Sequence, residues 1–190
     1  MKYLYKILKL IKCERIKTKY SHHNLIYRRK KKFIFSVDCS GLVEFWLKKI
    51  NPKALMEVYD FLHKNRNVDK AEIKRLYSFD FYDFFSFISD DDFSWNKISF
   101  SKKLMSGDVI AFINPNKKGR FGHVAVVEKE LYRDENKIVV RVIDSSQIKH
   151  FDDFRQSKNM GIGLGTIELY IENGNVSSVC YCPNEIKVRY

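Results

Sequence analysis

Residues 38–43 read Asp38-Cys39-Ser40-Gly41-Leu42-Val43 and place a cysteine in the first turn of an apolar helix. A thiol is an effective nucleophile as the thiolate, and the partial positive charge and free N–H groups of a helix N-terminus favour that anion. The same N–H groups can bind an oxyanion that develops on an attacked carbonyl. The alternative for Cys39 is a buried core thiol, since free cysteines are among the most buried residues. The surrounding pattern favours catalysis.

Helices precede strands along the chain. Asp38 suits the N-cap of a helix over Cys39–Ile50, and further helices are predicted at 52–64, at 70–76 and within 77–100. Turn residues and alternating apolar positions predict strands at 109–113, 122–129, 138–143, 166–172 and 176–182, with a glycine-containing loop at 161–165. The order predicts an α+β fold in which an antiparallel sheet of about five strands packs on the Cys39 helix. Residues 52–103 form a helical, aromatic-rich insertion, whose segment 77–100 we expect to supply a loop over the site.

Length and composition predict one domain. The 190 residues, of which 45% are hydrophobic, can bury a proper core, and we assign 20–190 to a single domain behind an N-terminal extension at 1–19. The adjacent histidines His22 and His23 cannot both face one ion from a strand, so we expect no metal site and no cofactor. No cysteine has zinc-finger spacing, and all four are interpreted as reduced thiols: Cys13, Cys39, Cys180 and Cys182.

The positive charge is concentrated at the N-terminus. Residues 1–32 contribute +11 of the net charge of +12. Lysines and aliphatic residues occupy opposite sides of a helix over 1–12, which either docks on its own domain or lies on an anionic membrane. The lysines interrupt the apolar run of a signal peptide, and no stretch is long enough to span a membrane, so we expect a cytoplasmic protein, with export by a non-classical route as the alternative. The partner expected for the arm is an anionic cell-wall polymer or membrane surface; no specific nucleic acid is expected.

Four motifs resemble those of NlpC/P60-type cysteine hydrolases, relatives of papain, over about residues 20–172. They are the stretch 38–43, Ser106-Gly107-Asp108-Val109, Gly122-His123-Val124-Ala125-Val126 and Val142-Ile143-Asp144-Ser145-Ser146. The aromatic-Gly-Gly element that usually precedes the nucleophile is missing, and the insertion at 52–103 is long. The chain therefore resembles a poorly characterised branch of the family.

The resemblance implies a Cys-His-Asp triad. Cys39 would attack a carbonyl to form an acyl-enzyme, His123 would move the proton, and Asp144 would orient the imidazole. The alternatives are an edge-strand histidine without a function for His123 and a turn cap for Asp144.

Several residues are candidates for binding an oxyanion or the substrate. The backbone N–H of Cys39 would share the oxyanion with an upstream donor, for which Tyr20 is preferred, His22 is second, and Tyr27 competes because its spacing matches the usual family tyrosine. Ser40 is a further substrate-binding candidate. A polar cluster of His150, Asp153 and Arg155 would either bind a substrate carboxylate or order a loop, and the second is favoured.

Three functions are consistent with these residues. The first is a cysteine hydrolase that cleaves an amide, most plausibly a cell-wall peptide as in the peptidoglycan-cleaving members of the family. The second is an acyltransferase or amidase on a lipid or protein substrate, for which the aromatic segment 77–95 would exclude water. The third is a non-catalytic module that binds anionic surfaces through residues 1–32.

Overall fold

The computed structural model describes residues 1–29, 32–88, 94–98, 101–113, 122–155, 161–173, 175–180 and 185–187. The helices are α1 (Lys2–Lys12), α2 (Cys39–Ile50), α3 (Pro52–Arg66) and α4 (Ser78–Phe87). The strands are β1 (Ile16–Lys19), β2 (Leu25–Arg29), β3 (Lys32–Ser36), β4 (Val109–Ile113), β5 (Gly122–Arg133), β6 (Lys137–Ser146), β7 (Gly161–Glu172), β8 (Asn175–Cys180) and β9 (Glu185–Lys187). The expected α+β class with an antiparallel sheet is confirmed.

The strands form two sheets. The larger one is antiparallel throughout and has the order β4-β5-β6-β7-β8-β9, a meander in which strands that follow one another along the chain are neighbours in the sheet. The smaller one has the order β1-β3-β2, with β1 parallel to β3 and β2 antiparallel to it. Sequence analysis predicted about five strands of the first sheet and none of the second.

Apolar residues alternate between the two faces of the larger sheet. Val124 and Val126 of β5 join the cluster that contains Cys39 and the buried residues of the four helices. Ala125 and Val127 point to a second cluster on the opposite face. Helix α2 packs against β5 and β6, and this contact sets the first turn of α2 beside the start of β5.

The N-terminal residues are part of the same core. Leu4, Ile7 and Leu8 of α1 are buried in the cluster that contains Cys39, while Lys2, Lys6 and Lys9 are exposed. The apolar face of α1 therefore docks on the body of the protein, which was the favoured alternative. No helix in the described residues is long and apolar enough to cross a bilayer.

Several predicted elements differ from the observed ones. Only a single 3-10 turn, Lys70–Glu72, forms where a helix was predicted at 70–76. Asp144 lies inside β6 and not at its end, and residues 161–165 belong to β7 and not to a loop. Both strands are longer than predicted because all ten residues of β6 pair with residues 161–170 of β7. The acidic run at 90–92 and Cys182 lie outside the described residues.

Candidate active site

Cys39 is the first residue of α2, and Asp38 caps this helix. The Asp38 carboxylate accepts hydrogen bonds from the backbone N–H of Gly41 at 2.9 Å and from the Ser40 hydroxyl at 3.1 Å. A capping carboxylate satisfies one of the free N–H groups at the helix start and favours the helical turn that carries the sulfur. Cys39 is only 5% exposed. The local sequence thus places a nearly buried thiol at a helix N-terminus, as predicted.

Asp38 also connects α2 to two distant segments. Its second oxygen accepts from Nδ1 of His22 at 2.9 Å and pairs with the guanidinium of Arg75, which also donates to the carbonyl of His22. The Asp38 backbone N–H donates to the side-chain oxygen of Asn24 at 3.0 Å. Burial opposes the negative charge of Asp38, but the hydrogen bonds from Arg75, Gly41 and His22 lower its pKa. The N-cap is therefore charged and held from three sides.

His123 lies between Cys39 and Asp144. Its Nε2 is 2.6 Å from Oδ2 of Asp144, and the ring shares a further hydrogen bond with the Cys39 side chain. Since Nε2 donates to the carboxylate, Nδ1 is the nitrogen left for the sulfur. Burial alone would lower the pKa of His123, but the negative charge of Cys39 and the hydrogen bonds with Asp144 and Cys39 raise it to about 10. The buried imidazole is therefore held in its protonated form between the Cys39 side chain and Asp144.

Asp144 is completely buried and has three basic partners. The same Oδ2 that accepts from His123 is 2.8 Å from Nε2 of His150, and Oδ1 is 3.0 Å from the guanidinium of Arg155. Burial penalises the charged carboxylate, but His150, Arg155 and the hydrogen bond from His123 hold its pKa well below the usual range. Asp153 in turn binds Nε of Arg155 at 2.6 Å. His150 and Arg155 thus keep Asp144 ionised. The role predicted for these two residues, to order a loop, is compatible with their contact with Asp144.

Two glycines of β7 make room for these partners. Gly163 is paired with Asp144 across the β6–β7 ladder, and a Cβ at this position would come within 2.2 Å of the Arg155 side chain. A Cβ at Gly165 would come within 2.6 Å of the Cβ of His150. Any larger residue would displace the groups that surround Asp144, since such contacts are far below van der Waals distance.

A cavity of about 390 Å³ opens beside the sulfur. Its wall contains Cys39, Gly122 next to His123, and three residues at the start of α4: Tyr77, Ser78 and Phe79. Tyr77 and Phe79 stack in parallel with ring centroids 5.2 Å apart, and Arg75 lies over Tyr77. The start of segment 77–95 thus borders the site, whereas Phe81 and Phe84 from the same segment are buried in the core.

The predicted oxyanion and substrate residues have different environments. Tyr20 lines the cavity, and burial together with the nearby charges of Cys39 and Asp38 raises its pKa, so that its hydroxyl remains a donor. His22 and Ser40 also line the cavity, but both use side-chain atoms to bind Asp38. Tyr27 is exposed on β2 and is not among the residues of the cavity wall. The geometry brings Tyr20 to the site and leaves Tyr27 away from it.

One group of three residues in the described chain has the composition of a metal site, namely His123, Asp144 and His150. Two ligands of one tetrahedral ion lie about 3.3 Å apart, because each is about 2.0 Å from the metal. Here both imidazole nitrogens are within 2.8 Å of the same carboxylate oxygen, and Arg155 supplies a positive charge to the other oxygen. These distances fit a hydrogen-bonded network and do not fit a metal centre.

Sequence reasoning missed Arg75 and Asn24. Arg75 is 37 residues from Asp38, and nothing in its local pattern indicates a contact with the N-cap. Asn24 adopts a left-handed conformation with φ of 50° directly before β2, a position that asparagine tolerates better than most residues. The turn-forming residues at 21–24 were therefore the one sequence signal that could have indicated a role for Asn24.

No family model, curated protein or solved structure matches this chain. The site is consequently defined by its own geometry: a cysteine at a helix N-terminus, an imidazole that contacts the sulfur, and a buried carboxylate behind the imidazole.

Proposed function

We propose that this protein is a cysteine hydrolase that cleaves an amide bond through Cys39, His123 and Asp144. The observation that carries the proposal is the continuous chain of hydrogen bonds from the Cys39 side chain through His123 to Asp144. A nucleophile, a base and an orienting carboxylate in contact form the arrangement on which acyl transfer by cysteine enzymes depends. The cavity beside Cys39 gives a carbonyl room to approach the sulfur.

Acylation starts from the thiolate–imidazolium pair. The Cys39 sulfur forms a bond to the carbonyl carbon, and we assign the binding of the oxygen that becomes negative to the Cys39 N–H at the start of α2 and to Tyr20, which lines the cavity. His123 then gives its Nδ1 proton to the leaving nitrogen as the C–N bond breaks. The amine departs, and a thioester on Cys39 remains.

Hydrolysis returns the enzyme to its starting state. His123, now neutral, takes a proton from a water molecule, whose oxygen bonds to the thioester carbon. The C–S bond breaks, the carboxylic acid leaves, and the thiolate–imidazolium pair is restored. Asp144 keeps the Nε2 proton of His123 in place throughout both steps, because its charge is held by His150 and Arg155.

The substrate class follows from the resemblance to NlpC/P60 hydrolases, which makes a short cell-wall peptide the first candidate. We also assign the papain-like arrangement of that family to residues 20–190, with 52–103 as the insertion and 1–19 as the extension. The order of the elements supports this assignment: α2 carries the cysteine, and the two sheet strands that follow one another carry the histidine and the aspartate.

An acyltransferase is the second candidate, and one observation favours it. The stacked rings of Tyr77 and Phe79 form an apolar wall beside Cys39. Such a wall suits an acyl chain and limits access of water to a thioester. The two functions share acylation and differ only in whether water or another nucleophile accepts the acyl group.

Mass spectrometry with a peptide-based, thiol-directed acylating probe tests the proposal. We expect one adduct on Cys39 in the wild-type protein, none on this residue in Cys39→Ala, and slower formation in His123→Ala. Cys13→Ser is the matched control, because Cys13 is an exposed thiol, and it should retain the adduct. An adduct that forms as fast on Cys13 as on Cys39 would contradict the proposal.

Substrate screening then separates the two candidates. Cell-wall peptides, lipid amides and protein amides are incubated with the wild-type protein and with Cys39→Ala, in the presence and absence of an added amine acceptor. Release of a free acid indicates a hydrolase, whereas an acylated acceptor indicates a transferase. Turnover that survives Cys39→Ala would exclude both.

A further inference from the structure

The hairpin formed by β2 and β3, which we call the β2–β3 hairpin, exposes large apolar side chains. All five residues of β2 are exposed, among them Leu25 (56%) and Tyr27 (44%), and Phe33 at the start of β3 is 50% exposed. Strand β2 is the edge of the smaller sheet, and β3 is its one neighbour in the described part of the chain. Exposed apolar groups of this size, gathered in one short hairpin, indicate an interaction surface.

These apolar side chains occupy both faces of the hairpin. Leu25 and Tyr27 alternate with Ile26, so they point to the opposite face. Arg28 is paired with Phe33 across the two strands and shares the face of Ile26. Phe35 shares the face of Ile26 and Phe33 but is buried in the core, so the body of the protein covers this face at Phe35 and leaves it exposed at Phe33.

Basic residues lie beside the apolar ones. Arg28 stacks over the ring of Phe33 at 5.9 Å, and Arg29 is paired with Lys32 across the strands. Exposed aromatic rings next to arginine and lysine are typical of segments that bind anionic lipid surfaces, since the rings enter the interface while the cations meet the headgroups. A second copy of this chain would bring the same positive charges together, so self-association is disfavoured.

A second cavity, of about 540 Å³, adjoins the hairpin and is likewise lined by basic and apolar residues. Its wall contains the ammonium-bearing residues Lys12, Lys17 and Lys32, with one acidic residue, Glu14. Apolar residues such as Ile16 and Phe154 line the remainder. Lysines around a partly apolar cavity suit the phosphate of a lipid headgroup. Lys32 belongs to both features, so the hairpin and the cavity form one continuous surface.

We propose that the β2–β3 hairpin docks this protein on an anionic phospholipid bilayer, with a headgroup phosphate in the lysine-lined cavity. The proposal does not rest on the proposed catalytic function. Asn24, directly before β2, accepts the backbone hydrogen bond of Asp38, which connects the base of the hairpin to the segment that carries Cys39.

Co-sedimentation with vesicles tests the docking surface in the full chain. The wild-type protein should bind vesicles of phosphatidylcholine with phosphatidylserine, and not vesicles of phosphatidylcholine alone. Each basic residue at an anionic surface contributes a factor of about five to the affinity, so Arg28→Gln with Arg29→Gln should weaken binding about 30-fold. Tyr27→Ser with Phe33→Ser should weaken it at least about tenfold, because the inserted apolar groups are lost.

Matched variants elsewhere on the surface serve as controls. Tyr132→Ser with Phe87→Ser removes one tyrosine and one phenylalanine of similar exposure, 53% and 61%, and Lys48→Gln with Lys49→Gln removes two exposed charges. Both control variants and Cys39→Ala should bind vesicles as the wild type does. Circular dichroism establishes that the hairpin variants are folded. A loss of binding in the controls equal to that in the hairpin variants would overturn the proposal.

A tryptophan at the hairpin distinguishes lipid from other acidic partners. The emission of Phe33→Trp, measured against a wild-type background, should shift to the blue with anionic vesicles and not with a soluble polyanion. Absence of vesicle binding at low salt would overturn the proposal. So would binding to the polyanion and the vesicles with equal affinity and no shift, or dimerisation through Tyr27 and Phe33 in sedimentation analysis.

Discussion

The sulfur of Cys39 and the ring of His123 form a coupled pair at the residue scale. Cys39 contributes to the raised pKa of His123 through its charge and through its hydrogen bond, while burial acts in the opposite direction. The protonated imidazole therefore lies against the Cys39 side chain, with Asp144 on its other side.

NMR titration of the histidine ring protons measures the coupling directly. We expect His123 to titrate near pH 10 in the wild-type protein. In Cys39→Ala its pKa should move down toward the ordinary value of about 6.5, because the negative charge beside the ring is gone and burial remains. An unchanged titration curve for His123 would show that Cys39 does not raise the pKa of His123.

Alkylation by iodoacetamide at pH 6 reports the thiolate. The exposed Cys13 serves as the reference thiol within the same protein. We expect Cys39 to react at least about tenfold faster than Cys13 although it is nearly buried, since the cavity gives the small reagent access. His123→Ala should remove most of this advantage. Equal rates for Cys13 and Cys39 at pH 6, measured by peptide mass mapping, would count against the ion pair.

At the scale of the element, the stability of α2 depends on Asp38. Its carboxylate caps the helix and neutralises Arg75, so Asp38→Ala should lower the free energy of unfolding by about 2–4 kcal/mol at pH 7. Because the folded pKa of Asp38 is lowered, its contribution is present above pH 4 and is lost as the pH falls below the ordinary aspartate value of about 3.9. Urea unfolding at pH 7 and at pH 3 should therefore show a smaller difference between variant and wild type at pH 3.

Asp69→Ala is the matched control for this measurement. Asp69 caps the 3-10 turn Lys70–Glu72 through the backbone N–H of Ala71, and it is exposed. Its loss should cost less than about 1 kcal/mol. A cost for Asp38→Ala no greater than that of the control would show that the contacts of Asp38 with Arg75 and His22 contribute nothing to stability.

The start of strand β7 could not be predicted from its local sequence. Glycines at 161, 163 and 165 locally favour a turn, and a loop was predicted there. The segment is a strand because ten residues of β7 pair with β6. Gly163 and Gly165 are explained by the close approach of Arg155 and His150, and Gly161 by its positive φ of 139° and its contact with Thr18, none of which a local pattern reveals. The environment of Asp144 thus depends on the register between β6 and β7 and on the loop that carries His150 and Arg155.

The whole molecule depends on α1 for part of its core. The buried face of this helix packs in the cluster that contains Cys39, so Leu8→Ala should lower the free energy of unfolding by about 2–4 kcal/mol. Leu131→Ala, at an exposed position of β5, is the control and should change it by less than about 0.5 kcal/mol. Urea unfolding at pH 7 makes the comparison. A cost for Leu8→Ala within the range of the control would mean that α1 is not part of the stable core.

Deletion of residues 1–12 tests the same packing more drastically. The deleted chain would expose the core surface that Leu4, Ile7 and Leu8 cover, and we expect it to aggregate or to unfold at lower urea concentration. A truncated protein that stays soluble with unchanged stability would contradict this expectation. Helix α1 would then be free to bind elsewhere.

The sequence by itself determined the features whose causes are local. The helix of Cys39 follows from an N-cap aspartate and an apolar face, and the strands after residue 104 follow from alternation and turn residues. The triad of Cys39, His123 and Asp144 was nominated by these signals together with the resemblance of four motifs to NlpC/P60 hydrolases. The structure contains the contacts of these residues, and their catalytic role stays a prediction.

The tertiary structure alone decided the features that join distant parts of the chain. The parallel pairing of β1 with β3, the contact of Arg75 with Asp38, and the burial of His150 and Arg155 against Asp144 each join residues that share no periodic pattern. Side chains of this kind take their positions from the packing of whole elements. Propensity acts over a few residues, whereas the environment of a buried charge is set by every segment that encloses it.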